Sequence, residues 1–374
     1  MCNIAGYTGT RRAAPILIEM MRKEQFYDGG QSTGLATIHE GKLYYAKVLG
    51  DLDTLLRTTD ALNFPGTTGI IHSRPSGNLQ SHAHPFVAED NQTALVLNGT
   101  LRDVNTPEFY AQSNRIMQGF FDRGITIKTA YERKNDGKPS RTLKNGLGYH
   151  DSEPYAQMSG DYTGKLGRAL TREDLTDAMT AAFTSLPADI VALAIHAQLP
   201  DTITVGDITR PMVAGFGDRE TYLATTALAF PEEIQKRPIL PLPPTSVSSV
   251  TPDGVRVVRT EIEGVRVEQI DYRIAAKIYE RMEALLKNAG EEGASLYDMP
   301  AYDEWRDIWN EPYVDCKYSK GGGLLKPYAT VLYETLWAFY KEGRLRERIG
   351  ERRGKPITKF ILDEKSNKQS EVTL

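Results

Sequence analysis

Cys2 is the residue whose type and position in this sequence best suit chemistry. A small second side chain is generally accepted by the enzyme that removes an initiator methionine, so we expect Met1 to be removed. The thiol and a free α-amino group then lie on one residue. Such an amine has a reference pKa of about 7.7–8.0 and can accept the thiol proton near neutral pH without a separate histidine. Cys2 is therefore predicted to be a nucleophile that carries its own base.

Four segments follow one another in an order typical of a known family. They are Met1-Cys-Asn-Ile-Ala-Gly-Tyr7, Tyr27-Asp-Gly-Gly-Gln-Ser-Thr-Gly34, Gly69-Ile-Ile-His-Ser-Arg-Pro-Ser-Gly-Asn78 with His82-Ala-His-Pro-Phe86, and Leu95-Val-Leu-Asn-Gly-Thr100. Their order and spacing resemble the class II glutamine amidotransferases, which are N-terminal nucleophile hydrolases. The resemblance is closest to the glutaminase domain of glutamine–fructose-6-phosphate aminotransferase. It extends from residue 1 to about 270 and is interrupted by residues 103–150.

The resemblance implies an α+β fold, a four-layer αββα sandwich, and hydrolysis of the glutamine side-chain amide through a thioester on Cys2. A tetrahedral intermediate on that path needs hydrogen-bond donors aimed at its oxyanion. By the resemblance, the catalytic donors are the side-chain amide of Asn98 and the backbone N–H of Gly99. An Asn-Gly pair taken alone is more often a hairpin turn. Here it ends an apolar strand at the family's position, which favours the donor role.

The resemblance also implies the substrate-binding residues. Arg74 matches the arginine that holds the substrate α-carboxylate, a role that suits a planar guanidinium because its donors fit a carboxylate in a bidentate way. Gly77 stands where the family has a threonine that touches this carboxylate, and the neighbouring Ser76 can substitute for it. The substrate α-ammonium needs a carboxylate, for which Asp151 is the best match and Asp161 the second choice.

Several residues near the implied pocket depart from the family pattern. Asn3 replaces a glycine, Pro75 replaces an aromatic residue that covers the bound glutamine, and Leu97 replaces a histidine before the Asn-Gly pair. Gly77 replaces the threonine mentioned above. The catalytic atoms are retained while the amino-acid pocket differs, so the chemistry is better supported than the identity of the substrate.

Three histidines cluster in the sequence, His72, His82 and His84, and invite a metal-site interpretation. The family has a His-Pro pair here without a metal role, and no second cluster supplies carboxylates or thiols. We therefore expect neither a metal nor a cofactor.

The elements that position these residues are predicted from hydrophobic periodicity. Residues 2–270 are expected to form the glutaminase-like domain, with an inserted loop at 103–150 and a hairpin turn at Gly41-Lys42. Helices are predicted at 12–28, near 109–121 and at 175–186, and strands at 33–39, 43–48, 69–73, 94–98, 190–195, 202–205, 212–215, 222–227, 255–259 and 265–269. This grouping indicates two sheets with helices outside them rather than alternating βα units.

Residues 271–374 are predicted to be a helical C-terminal extension. An apolar stripe begins at Ile274, and a second helix is expected over residues 327–342. The basic run from Arg344 to Lys359 is interrupted by glutamates and is interpreted as a solvated helix face. We recognise no nucleotide or sugar-phosphate motif in this extension.

Composition excludes several classes of protein. The 374 residues carry a net charge of −4, so no basic surplus indicates nucleic-acid binding. No apolar run of about 18 residues predicts a membrane-spanning helix, and the N-terminus lacks a secretory signal pattern. Two cysteines form no disulfide framework. A cytoplasmic enzyme or binding protein remains.

Three functions are left open. The first is a glutaminase that acts on L-glutamine and passes ammonia to a separate acceptor enzyme, in a glutamate-synthase-like arrangement. The second is an amidohydrolase for another γ-glutamyl or small amide. The third is a non-catalytic binding or regulatory protein. The sequence does not decide the oligomeric state, and a homo-oligomer is left open as well.

Overall fold

The structure of the chain is a computed structural model that describes residues 2–100, 106–133, 140–267, 272–299, 314–316 and 328–363. The chain divides into two compact units, residues 1–269 with 311–327, and residues 270–310 with 328–374. The elements of the first unit are β1 (Asn3–Thr8), α1 (Ala13–Glu24), β2 (Ser32–His39), β3 (Lys42–Leu49), α2 (Leu52–Thr58), β4 (Thr68–Arg74), β5 (Phe86–Val87), β6 (Thr93–Thr100), α3 (Pro107–Asp122), β7 (Tyr131–Glu132), β8 (Leu147–Gly148), α4 (Glu153–Gly164), α5 (Arg172–Ser185), β9 (Asp189–His196), β10 (Ile203–Asp207), β11 (Val213–Gly217), β12 (Glu220–Ala224), α6 (Glu232–Gln235), β13 (Ile239–Pro241), β14 (Ser246–Thr251), β15 (Gly254–Arg259), β16 (Val265–Val267) and β17 (Val314–Cys316).

Two antiparallel sheets form the body of the first unit. One has the strand order β13-β11-β12-β1-β4-β2-β3, and the other has the order β15-β14-β10-β9-β6-β5. Helix α1 packs on the first sheet at β1 and β4, whereas α5 packs on the second sheet at β10 and β14. The predicted α+β fold, a four-layer αββα sandwich, is confirmed.

The core between the two sheets is aliphatic. Ile4 of β1, Ile70 of β4, Val96 of β6 and Leu193 of β9 are completely buried in one cluster. Each such side chain contributes about 1.5–3 kcal/mol when it is buried. This packing places β1 of the first sheet against β6 of the second, so residues at the ends of these two strands meet.

Several predicted elements are present with shifted limits. The helix predicted at 12–28 is α1, which ends at Glu24, and the first hairpin turns at Glu40 and Gly41, both with positive φ, rather than at Gly41-Lys42. The strand predicted at 265–269 is β16, and residues 268–269 lie outside the described residues.

The insertion at 103–150 contains the helix expected near 109–121, which is α3. Residues 103–105 and 134–139 of the insertion lie outside the described part of the chain. Helix α4 follows the insertion and was not predicted. Its sequence mixes serine, glycine and threonine with few large apolar residues, so its periodicity is weak.

The second unit contains α7 (Tyr272–Ala289), α8 (Tyr328–Lys341) and the antiparallel pair β18 (Leu345–Arg352) and β19 (Lys355–Leu362). The prediction of a helix for the basic run from Arg344 to Lys359 is wrong, because all but the first of these residues lie in the β18–β19 hairpin. Arg353 and Gly354 both have positive φ, as a two-residue hairpin turn requires. Among the helices that the structure describes, none has the length and apolar character needed to cross a membrane.

Candidate active site

Cys2 and Asn98 meet where the two sheets face each other. Cys2 directly precedes β1, which lies between β12 and β4 in the first sheet, and Asn98 lies in β6 of the second sheet. The backbone nitrogen of Cys2 donates a hydrogen bond of 3.0 Å to Asn98 Oδ1. The sandwich therefore brings together two residues that are 96 positions apart in the sequence.

The other half of the Asn98 amide makes no hydrogen bond to any described residue. Asn98 is completely buried, and its Nδ2 has no hydrogen-bond partner in the part of the chain that the structure describes. Leaving a buried donor unsatisfied costs about 1–3 kcal/mol. The amide whose Oδ1 contacts the backbone of Cys2 is therefore the one that keeps its N–H donors free, and donors of this kind are what stabilisation of an oxyanion requires.

The backbone N–H of Gly99, the second predicted donor, lies next to Asn98 in β6. Both residues lie inside β6, where Asn98 pairs with Val191 and Gly99 with Ile190, so the hairpin-turn interpretation is wrong. The Leu97 carbonyl lies 3.2 Å from His72 Nε2 and so points away from β9. Residues two apart in a strand direct their backbone groups to the same side, so the Gly99 N–H also points away from β9. On that side β5 pairs only with Ala94 and Leu95, so it does not reach Gly99.

Gly99 is required by a close approach of the backbone. A Cβ at this position would lie 2.4 Å from the Asp189 carbonyl oxygen and 2.5 Å from Ile190 Cγ2 of the adjacent strand β9. A larger residue would therefore push β6 away from β9 and displace both predicted donors.

Arg74 ends β4, the strand that pairs with β1 on the side of Cys2. Its Nη1 donates to the His82 carbonyl at 2.9 Å, and its Nη2 donates to Ser76 Oγ at 3.0 Å. Its Nη1 also lies 2.7 Å from His150 Nε2. No carboxylate of a described residue pairs with this guanidinium, so its charge is free to bind an anion.

His150 bridges Arg74 and Asp151. A guanidinium can only donate, so His150 Nε2 accepts from Arg74. Its Nδ1 lies 2.9 Å from Asp151 Oδ1 and 3.2 Å from the Ser152 backbone nitrogen. Burial lowers the pKa of His150 to about 4 although Asp151 opposes the effect. His150 is therefore neutral at physiological pH.

Asp151 carries a full negative charge in this site. Burial alone would raise its pKa, but His150 and Arg141 hold the pKa well below the ordinary value. Arg141 Nη1 lies 2.9 Å from Asp151 Oδ2. The carboxylate predicted to receive a substrate ammonium is thus already paired with an arginine of the inserted segment.

These groups surround a cavity of about 60 Å³, with room for a few water molecules. Its lining consists of Cys2, Arg74, His84, Leu97, Gly99, His150, Asp151, Ser152 and Tyr155. Burial raises the pKa of the Cys2 thiol, whereas the positive charges of Arg74 and Arg210 act in the opposite direction. A thiol that is neutral at rest needs a base to activate it.

The predicted residues Asn98, Ser76, Gly77 and Asp161 are not part of this lining. Ser76 contacts Arg74, and Gly77 lies close to Leu49 and Ser32. Asp161 on α4, the second choice for the ammonium-binding carboxylate, pairs instead with Arg123 and Lys165.

The histidines do not form a metal site. The rings of His72 and His84 stack with centroids 3.8 Å apart, and burial keeps the pKa of both well below its ordinary value. Among the described residues, no three histidine, cysteine, aspartate or glutamate side chains are placed to hold a metal ion.

Four lining or neighbouring residues were missed by the sequence analysis, namely His150, Ser152, Tyr155 and Arg141. His150 directly precedes Asp151, so its position next to a predicted site residue was an available signal. Arg141 lies in a polar insertion whose folding back onto Asp151 has no signature in the local sequence. Tyr155 lies on α4, which was not predicted.

The sequence is similar to those of glutamine–fructose-6-phosphate aminotransferases. It is 27% identical over 280 residues to the enzyme of Leifsonia xyli, covering 74% of this chain and 39% of that protein. It is 24% identical over 334 residues to the enzyme of Thermus thermophilus, covering 88% of this chain and 46% of that protein. The chain thus spans less than half the length of these relatives. No protein-family model matches the chain.

The fold is similar to that of glutamine phosphoribosylpyrophosphate amidotransferase from B. subtilis, with a TM-score of 0.52 at 17% identity. The similarity covers 74% of this chain and 52% of that one. The chain is therefore a homologue of the class II glutamine amidotransferases, enzymes with the N-terminal nucleophile hydrolase fold.

Proposed function

We propose that this protein hydrolyses the side-chain amide of L-glutamine through a thioester on Cys2, after removal of Met1. The single observation that carries the proposal is the Asn98 amide, whose Oδ1 accepts from the Cys2 backbone nitrogen while its buried Nδ2 has no partner among the described residues. A buried donor left free beside a nucleophile suits an oxyanion that forms only during the reaction.

The first half of the proposed reaction forms the thioester. The α-amine of Cys2 takes the proton from the thiol, and Sγ attacks the side-chain carbonyl carbon of glutamine. The carbonyl oxygen becomes an oxyanion that accepts from Asn98 Nδ2 and the Gly99 N–H. When the intermediate collapses, the C–N bond breaks, the α-ammonium returns its proton to the leaving nitrogen, and ammonia departs.

The second half hydrolyses the thioester. A water molecule gives a proton to the α-amine as its oxygen attacks the thioester carbon, and the same two donors stabilise the second oxyanion. The C–S bond then breaks, the thiolate regains a proton, and glutamate leaves. The net reaction consumes one glutamine and one water and yields one glutamate and one ammonia.

The amino-acid end of the substrate is assigned to the charged side of the cavity. The guanidinium of Arg74 is free of carboxylate partners among the described residues and is proposed to bind the α-carboxylate. Asp151 is proposed to bind the α-ammonium, because its low pKa keeps it charged at neutral pH. A carboxylate and an ammonium on one carbon match this pair of opposite charges.

We further propose that the released ammonia is used by an acceptor enzyme, since the similar proteins are named as aminotransferases. A pull-down of the full chain, followed by a test of whether the recovered partner raises the rate of glutamine hydrolysis, examines this point. The chemistry on Cys2 does not depend on its outcome.

A second candidate is hydrolysis of another γ-glutamyl or small amide. It is favoured by Gly77, which packs against Leu49 and Ser32 and offers no side chain to a substrate carboxylate. Comparing L-glutamine with γ-glutamyl amides and simple aliphatic amides under one assay separates the two candidates.

The proposal is tested by release of glutamate and ammonia from L-glutamine by protein whose N-terminus has been verified by intact mass. We expect equal amounts of the two products from the wild-type protein and none from Cys2→Ala. The matched control is Cys316→Ala, which removes the other cysteine of the chain and is expected to retain activity. Turnover by Cys2→Ala would refute the proposed nucleophile.

A further inference from the structure

Both oxygens of the Asp151 carboxylate already have a neighbour. Oδ1 lies 2.9 Å from His150 Nδ1, and Oδ2 pairs with Arg141 Nη1 at 2.9 Å. The guanidinium of Arg141 therefore already supplies a cation to the carboxylate to which the proposed function assigns the substrate α-ammonium.

The charges of the site agree with this assignment. His150 is neutral, so Arg141 and Asp151 cancel while Arg74 keeps one uncompensated positive charge. Glutamine would bring a carboxylate that suits Arg74 and an ammonium that finds Asp151 already neutralised. The cavity of about 60 Å³ is lined by Arg74 and Asp151 together, so both charges face the same space.

The backbone on either side of Arg141 is held, whereas its side chain is partly exposed. Asn114 of α3 accepts from the Thr142 N–H and donates to the Ser140 carbonyl, both at 2.9 Å, so it fixes the chain on either side of Arg141. The side chains of Arg141 and Asp151 keep 26% and 29% of their surfaces exposed. Partly exposed ion pairs are weak, and losing one changes an equilibrium by about two- to fivefold.

We propose that Arg141 is an internal competitor of the substrate α-ammonium, which pairs with Asp151 in the free protein and must leave it before glutamine binds. This inference rests on the proposed function and deepens it by naming a residue that sets substrate affinity. It makes Arg141 a specificity-determining residue, because only a substrate with an ammonium has to displace it.

The test compares two substrates in three proteins. The substrates are L-glutamine and glutaramate, which is glutamine without its α-amino group. The proteins are the wild type, Arg141→Gln and the control Lys144→Gln, which removes a positive charge from an exposed residue of the same segment. We expect Arg141→Gln to lower KM for glutamine about two- to fivefold without changing kcat, and to leave KM for glutaramate unchanged. Arg141→Lys keeps a competing cation and should retain the wild-type KM for glutamine.

Other results would overturn the inference. If KM for glutamine rises in Arg141→Gln, Arg141 binds the substrate rather than competing with it. If KM falls equally for both substrates, Arg141 only narrows the cavity. If KM for glutamine is unchanged, the pair with Asp151 does not oppose binding.

Calorimetric binding separates failure of this inference from failure of the proposed function. Glutamine is titrated into Cys2→Ala and into the double variant Cys2→Ala/Arg141→Gln, neither of which can form a thioester. Tighter binding by the double variant supports the competition even if the wild-type protein turns over no amide. Equal or weaker binding by the double variant overturns it even if turnover is found.

Discussion

We predict that removing the Asn98 side chain lowers activity strongly but changes stability little. In Asn98→Ala the proposed oxyanion loses one donor, which costs about 2.7–4 kcal/mol of activation free energy and lowers kcat about 10²–10³-fold. The folded protein loses the bond from the Cys2 N–H to Oδ1, worth about 0.5–1.5 kcal/mol, but it also loses an unsatisfied buried donor that costs about 1–3 kcal/mol. The two terms offset each other, so we expect the free energy of unfolding to change by about 1 kcal/mol or less.

A second variant separates the two halves of the amide. Asn98→Asp keeps an oxygen for the Cys2 N–H and replaces the donor by another oxygen, so its loss of kcat should be at least as large. The matched control is Gln157→Ala. Gln157 is also buried, but both ends of its amide are bonded, to the Glu89 N–H and to Glu153. It should lose about 1–3 kcal/mol of stability with kcat unchanged.

The assays are steady-state glutamate release for kcat and urea denaturation for the free energy of unfolding. A kcat for Asn98→Ala within about tenfold of wild type, less than about 1.4 kcal/mol, would refute the oxyanion role. A stability loss as large as that of Gln157→Ala would show instead that Asn98 is a structural residue.

Two further predictions concern neighbouring residues. Gly99→Ala places a Cβ 2.4 Å from the Asp189 carbonyl, so thermal unfolding should show a loss of about 1–3 kcal/mol together with a fall in kcat. The control Gly119→Ala lies in α3 with open space around it and should stabilise the protein by about 0.5–1 kcal/mol; equal effects of the two variants would contradict the close approach of β6 and β9. The second prediction concerns pH, since the pKa of His150 is about 4 in the folded protein and about 6.5 in an unfolded chain. Between these values the unfolded chain binds more protons, so the stability that His150 contributes is complete above about pH 6.5 and is lost as the pH falls towards about 4. We expect the free energy of unfolding, measured by urea denaturation at several pH values in this range, to rise less steeply with pH in His150→Gln than in the wild type. The difference in slope should be up to about 1.4 kcal/mol per pH unit. Identical slopes would show that His150 is not buried in its neutral form.

The sequence was most informative where local chemistry and spacing act together. Cys2 could be singled out because its nucleophile and base are adjacent by covalent structure. Two sheets with helices outside them could be expected because apolar strand patterns are grouped rather than alternating with helices, and the family resemblance implied the αββα sandwich. Asn98 and Gly99 were recognised by the family pattern, and the structure adds that the Asn98 Oδ1 accepts from the Cys2 backbone nitrogen while Gly99 lines the cavity.

The features that could not be predicted depend on contacts between distant parts of the chain, which leave no pattern in the local sequence. The pairing of Arg141 with Asp151 requires the insertion to fold back over the site, and the two residues are simply polar in the sequence. The β18–β19 hairpin was mistaken for a helix because its charges suit either structure on a solvated surface. Only the turn at Arg353 and Gly354 distinguishes them, and an Arg-Gly pair is a weak turn signal.

The most direct test of the central claim is mass spectrometry of the N-terminal peptide after acid quench during glutamine turnover. Trypsin should release a peptide that ends at Arg11. We expect this peptide to begin at Cys2 without Met1, and a fraction of it to carry a γ-glutamyl group as a thioester on Cys2. Turnover by chains that retain Met1, or a γ-glutamyl group found on another residue, would contradict it.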